Sequence, residues 1–198
     1  MSERQDLNVL KRGLAQKGLI VLTALAFALS FGGDADAARK KKRKAKPRPA
    51  PVKAEPIAWE TLARDGPGGK ICFAVAEPKE KFPASYAHGA VFFMISSWKT
   101  GGPRMQPSLS VSYALNTQIP PAGLVESSRG RSPQVRFYID GTDAFIARPD
   151  QEIQLVNAMR SGRSLRIDAT SADNVRTSYE FSLSGFSAAW DAAARLCA

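Results

Sequence analysis

Ser108-Leu109-Ser110-Val111-Ser112-Tyr113-Ala114-Leu115 decides the fold. Leu109, Val111, Tyr113 and Leu115 fall on one side of an extended chain and the serines and Ala114 on the other, because successive strand side chains point to opposite faces. One apolar face and one polar face is the pattern of a half-buried antiparallel strand. Tyr179, Phe181 and Leu183 alternate with Ser178, Glu180 and Ser182 in the same way, as do Leu165, Ile167 and Ala169 with Arg166, Asp168 and Thr170. Val91-Phe92-Phe93-Met94-Ile95 is apolar on both faces and reads as a central strand. The runs 135–139 and 142–146 flank Asp140-Gly141, a dipeptide that accepts the positive φ angles of a tight primed turn, so they read as a hairpin. Residues 57–62 and 70–75 supply two further strands across the turn formed by Asp65-Gly66-Pro67-Gly68-Gly69.

Two segments break the period of two. Asp150 can cap a helix in which Ile153, Val156 and Met159 recur at helical spacing, as do Leu155 and Met159, with Arg160 in its last turn and Gly162 just beyond. Phe186, Trp190, Ala193 and Cys197 line one face of a second helix at the C-terminus. Seven or eight short strands separated by turn signals, plus these helices, predict a mainly β chain. Its architecture is an antiparallel β-sandwich with two peripheral helices over residues 57–198.

Upstream of that body the composition changes twice. Lys11, Arg12 and Lys17 precede an uncharged stretch at 18–33 with an apolar centre, and Ala35-Asp36-Ala37 follows as a small-x-small site. This is the layout of a secretory signal, expected to be removed after residue 37; the apolar centre falls well short of the ~20 residues that span a bilayer. No cysteine lies near the site, which excludes a lipoprotein anchor. Residues 38–56 then read as a disordered basic, Pro-rich linker. Arg39, Lys40, Lys41, Lys42, Arg43 and Lys44 repel one another, Lys46 and Arg48 follow, and four prolines hold the chain extended.

The chain has 28 Lys+Arg against 18 Asp+Glu, for a formal net charge of +10. Nine basic and no acidic residues lie between 39 and 53, whereas 15 basic and 14 acidic residues lie beyond. The charge therefore belongs to the linker and not to a basic folded surface, which argues against specific nucleic-acid binding. An anionic envelope surface, met through Arg39–Lys44, Lys46 and Arg48, is the partner that this charge suggests; a solvated spacer is the alternative.

Export sets the redox context. Cys72 and Cys197 are the two cysteines of the chain, and an even count in an oxidising compartment favours a disulfide between them over two free thiols. The single histidine, His88, excludes sites that need two. It sits in Ser85-Tyr86-Ala87-His88-Gly89, where an exposed loop histidine is expected, and no Gly-x-Ser-x-Gly elbow offers it a serine nucleophile. Gly66-Pro67-Gly68-Gly69-Lys70 lacks the Ser/Thr of a phosphate loop, with Ile71 in its place. Asp140 and Asp143 read as turn formers, since the other ligands of a calcium loop are missing. Trp59, Phe82, Tyr86 and Trp98 lie near strand ends, where core packing, rim filling or a recognition surface are all open. No metal site and no cofactor is expected.

The run Lys70-Ile71-Cys72-Phe73-Ala74-Val75-Ala76-Glu77-Pro78-Lys79, followed by the strand at 91–95, resembles the opening of the invasion-associated locus B family. The later order is similar too: the hairpin, the helix through Leu155-Val156-Asn157-Ala158-Met159-Arg160-Ser161-Gly162, and Ser182-Leu183-Ser184-Gly185-Phe186 leading to a terminal cysteine. The resemblance runs from about Trp59 to Cys197 and leaves the basic linker outside it. It implies an exported, envelope-associated protein with an immunoglobulin-like sandwich, in a family named for host-cell invasion and without known enzymatic activity.

Two functions of different class follow. The first is a non-enzymatic binding or interaction module of the periplasm or outer cell surface, meeting an unknown envelope or host component, with no transmembrane segment in the mature chain. The alternative is a periplasmic hydrolase or thiol enzyme using His88 or Cys72. Each catalytic arrangement lacks a partner residue, which favours the first.

Overall fold

The computed structural model describes residues 57–66, 69–102 and 105–198. The expected signal (1–37) and basic linker (38–56), with Arg39, Lys40, Lys41, Lys42, Arg43, Lys44, Lys46 and Arg48, lie outside the described residues.

Eleven strands and two helices make up the described chain. The strands are β1 (Trp59–Gly66), β2 (Gly69–Ala76), β3 (Glu80–Phe82), β4 (Val91–Trp98), β5 (Gln106–Val111) and β6 (Ala122–Ser127), then β7 (Gly130–Arg131), β8 (Val135–Asp140), β9 (Asp143–Ile146), β10 (Ser164–Thr170) and β11 (Arg176–Ser182). The helices are α1 (Pro149–Ser161) and α2 (Phe186–Leu196). All pairings are antiparallel, in the order β1-β2-β4-β5-β9-β8-β6-β10-β11-β3, with β7 beside β6. β8 belongs to both halves of this path. Its residues Phe137 to Asp140 pair with β9, while Val135 and Arg136 pair with β6. The mainly antiparallel β fold with two helices is thus as the period of two predicts.

The two halves face each other across one apolar interior. Phe93 of β4 meets Phe181 of β11 at 5.7 Å and Phe137 of β8 at 6.4 Å between ring centroids. β4 is central, between β2 and β5, and buries both of its faces, as its unbroken apolar run requires. α2 presents Phe186, Ala189, Trp190 and Ala193 to the interior, and Cys197 just beyond it joins Cys72 of β2 in a disulfide with Cα atoms 5.9 Å apart. At the N-terminal end of α2, Trp59 packs edge-on against Phe186 at 4.8 Å and donates its indole N–H to the Ser182 carbonyl. The hairpin at Asp140-Gly141 forms as expected, Gly141 taking φ 67° and Asp140 facing Asp143.

Several local expectations need correction. α1 begins one residue before Asp150: Arg148 occupies the cap position, Pro149 opens the helix, and Asp150 forms a salt bridge with Arg148 at 2.6 Å. Its inward face is Leu155, Val156 and Met159, and Ile153 points to solvent. β5 stops at Val111, short of Tyr113, because the Ser112 hydroxyl takes over the pairing, accepting from the Ala90 N–H and donating to the Ala90 carbonyl. Gly162 ends α1 without a left-handed turn, at φ −80°. Its role is clearance, since a Cβ there would collide with Val125 Cγ1 and lie 2.7 Å from Leu183 Cδ1. β3, β6 and β7 exceed the expected seven or eight strands.

The outward face of the half containing β3, β6, β8, β10 and β11 carries one straight cross-strand row. Register aligns Arg136 with Ala122, Ala122 with Asp168, Asp168 with Ser178, and Ser178 with Phe82. Two small side chains flank Asp168, and larger ones stand at the two ends of the row.

Candidate functional site

His88 is the first residue to test for chemistry, and its environment settles its role. Contrary to the exposed position expected from sequence, it is only 6% exposed. Its Nε2 lies 2.9 Å from the Pro83 carbonyl, which can only accept, so Nε2 carries the proton. In the neutral ring Nδ1 is then the acceptor, and the Tyr179 hydroxyl donates to it at 3.0 Å. With that proton committed, the Tyr113 hydroxyl donates to Tyr179 Oη at 2.7 Å and accepts from Thr177 Oγ1 at 2.7 Å. A single direction of donation runs from Thr177 through both tyrosines to the imidazole. Tyr86 closes the cluster with edge contacts to His88 and Tyr113.

Burial pushes the phenol pKa of Tyr179 well above its ordinary value, and burial also raises Tyr113. Both hydroxyls therefore stay protonated and remain donors across the physiological range. A general base needs its acceptor nitrogen within reach of a substrate proton. Here both ring nitrogens of His88 are engaged inside the protein. The histidine ties the 83–90 segment to β11.

On the opposite face of β11 the cross-strand row forms the floor of a groove of about 500 Å³. That volume falls within the ~300–1,000 Å³ typical of small-molecule sites. Ala122 and Ser178 lower the centre, Phe82 and Ile119 border it with exposed apolar surface, and Arg136, Arg166 and Arg176 supply the charge. Arg166 is partly spent, because its Nε and Nη2 both reach Asp168 Oδ1, at 3.0 and 2.9 Å. Asp168 Oδ2 accepts nothing among the described residues, and neither Arg136 nor Arg176 has an ion-pair partner there. Three arginines against one aspartate leave the lining with a formal surplus of two positive charges. Arginine forks of this kind match planar anions in two-point contacts.

The remaining sequence candidates fall apart in space. Cys72 is in the disulfide and offers no thiol, so the thiol-enzyme alternative loses its nucleophile. Trp59 is core, Trp98 and Tyr86 are half-buried, and Phe82, at 68% exposure, alone stands at the groove. Asp140 and Asp143 face each other across the hairpin turn as strand-end residues. Among the described residues no group of three or more His, Cys, Asp or Glu is placed to hold a metal ion. Sequence reasoning missed the groove. Alternation along β10 turns Arg166 and Asp168 outward, but their alignment with Arg136, Ser178 and Phe82 needs the register of five strands drawn from distant parts of the chain.

A solved structure described as the crystal structure of invasion associated protein b from Bartonella henselae is similar at 17% identity, over 71% of this chain and 96% of that chain, with a TM-score of 0.49. No curated protein matches the chain. The family model described as Invasion associated locus B (IalB) protein matches residues 59–194, from the start of β1 into α2, most of the chain and nearly all of the described fold. The chain belongs to the invasion-associated locus B family.

Proposed function

We propose that this protein is an exported, non-enzymatic component of the bacterial envelope or cell surface that works as a binding module, with the arginine-lined groove as its contact surface. One observation carries the reading: Arg136 and Arg176 line a concave sheet face without an ion-pair partner among the described residues, beside a carboxylate oxygen of Asp168 that accepts nothing from them. Unpaired guanidinium groups around a depression are a recognition feature, since a surface serving only solubility gains nothing from concavity. Family membership supports an invasion-linked envelope role. Among the described residues no helix is long and apolar enough to cross a membrane. The engagement of both His88 nitrogens and the oxidised state of Cys72 weigh against the hydrolase and thiol-enzyme alternative. The basic segment at 39–53 adds a second, electrostatic attachment to anionic surfaces.

The test combines localisation with binding. Expressed from its full sequence, the protein should fractionate with the envelope or the medium and begin near Ala38. On an array of envelope and host-surface lipids, glycans and peptides, it should bind at least one component. Arg136→Ala/Arg176→Ala should abolish that signal, and Arg129→Ala, outside the groove, should retain it. Cytosolic full-length protein, or binding indifferent to both arginines, refutes the proposal.

A further inference from the structure

The groove is built more narrowly than a general anion site, and we infer that its ligand is an oligosaccharide bearing carboxylate groups. This rests on the binding-module reading above and names what that module takes. The floor lies across β8, β6, β10, β11 and β3 and is read through the side chains that stand on it. β3 ends the sheet and covers β11 only from Ser178 to Glu180, so a peptide adding a strand beside it is the competing occupant that the test below includes.

The side chains present three kinds of contact. Arg136 stands at the β8 end of the floor's row and Arg176 on β11 two residues from Ser178, and neither has an ion-pair partner among the described residues. Between them, Asp168 Oδ2 and the Ser178 hydroxyl carry no hydrogen bond from the described residues. An open carboxylate oxygen at the centre of a cationic groove calls for a ligand that also donates hydrogen bonds, and sugar hydroxyls do so beside their charged groups. Phe82 contributes an exposed aromatic wall against which the C–H face of a sugar ring can pack. Charge count then sets the number of acids: a surplus of two positive charges matches two carboxylates, one in two-point contact with each of Arg136 and Arg176.

The experiment uses the full chain and tetragalacturonate as probe, by titration calorimetry at fixed ionic strength. The methyl-esterified tetramer, which keeps the sugar and loses the charge, and a tetraglutamate peptide serve as comparisons. The wild type should bind tetragalacturonate, and Arg136→Ala/Arg176→Ala should weaken it by at least about tenfold. Phe82→Ala should weaken it by a smaller factor, and deletion of residues 39–44 should leave the arginine-dependent part intact. All these side chains are exposed, so unchanged melting curves confirm that the variants fold. Equal affinity for the esterified tetramer, or for wild type and double variant, overturns the assignment. If tetraglutamate binds as tightly with the same arginine dependence, the groove remains a binding site but the saccharide assignment falls. If no probe responds to Arg136 and Arg176, both fall together.

Discussion

Removing the Cys72–Cys197 cross-link is the sharpest test of how this domain is held together. The bond closes a loop of 125 residues, almost the whole described fold. In the chain-entropy model such a closure removes roughly 5 kcal/mol of unfolded-state freedom. That is a large share of the ~5–15 kcal/mol that stabilises a typical domain. For a folded body of this size it corresponds to a drop of about 10–20 °C in melting temperature. The native state should lose far less. α2 is held at its other end by Phe186 against Trp59 and by the Trp59 indole on Ser182, and along its length by Trp190 and Ala193. Cys72→Ala/Cys197→Ala should therefore remain folded at 25 °C with native near-ultraviolet circular dichroism, and melt about 10–20 °C lower in a calorimetric scan. Hydrogen exchange should rise first in the last turn, where Cys197 donates its backbone N–H to Ala193. A melting point within about 3 °C of the oxidised protein would refute the reasoning, and titration of two free thiols in native exported protein would reopen chemistry at Cys72.

Two further outcomes follow from the polar cluster and the linker. Tyr179→Phe deletes the donor to His88 Nδ1 and the acceptor for Tyr113 in a buried site, so unfolding in urea should show a loss of about 1–3 kcal/mol with an unchanged m-value; no loss would mean that the chain of hydrogen bonds is not formed in solution. Mature protein should bind anionic vesicles in a manner that falls steeply with salt over a Debye length of ~8 Å, and deletion of residues 39–44 should abolish it. Retention after that deletion would make the linker a spacer only.

The β fold was legible because its information is local. Leu109 and Val111, Leu165 and Ile167, Tyr179 and Phe181 all occupy the interior, as a period of two dictates. The α2 stripe was legible for the same reason. Three other features were not. Ile153 and Leu155 both fitted the helical period with Met159, and the sheet beneath α1, not spacing, decides between them, turning Leu155 inward and Ile153 to solvent. Gly162 carried the composition of a helix stop while serving as clearance for Val125 and Leu183, residues remote in sequence. His88 looked solvent-exposed in its polar loop because Tyr179, which holds its Nδ1, lies 91 residues away, and Tyr113, which packs on Tyr86 and bonds Tyr179, is equally invisible to local reading. Long-range register and burial are global properties, and the candidate site depends on both.

The polar cluster and the groove are two faces of one strand, which gives a reason for an expensive buried network in a binding protein. β11 turns Thr177 and Tyr179 inward and Arg176 and Ser178 outward. Its outer neighbour β3 pairs over only three residues, too few to fix an edge strand firmly. β3 nevertheless carries Phe82, one wall of the groove, and the residue after Phe82 is Pro83, whose carbonyl accepts from His88. His88 is in turn held by Tyr179 of β11. The histidine thus bolts the wall to the floor from the inside. A side chain that looks like a candidate base in sequence gives rigidity to a surface on the other side of the sheet, and a preorganised wall lowers the ordering cost of whatever the arginines bind.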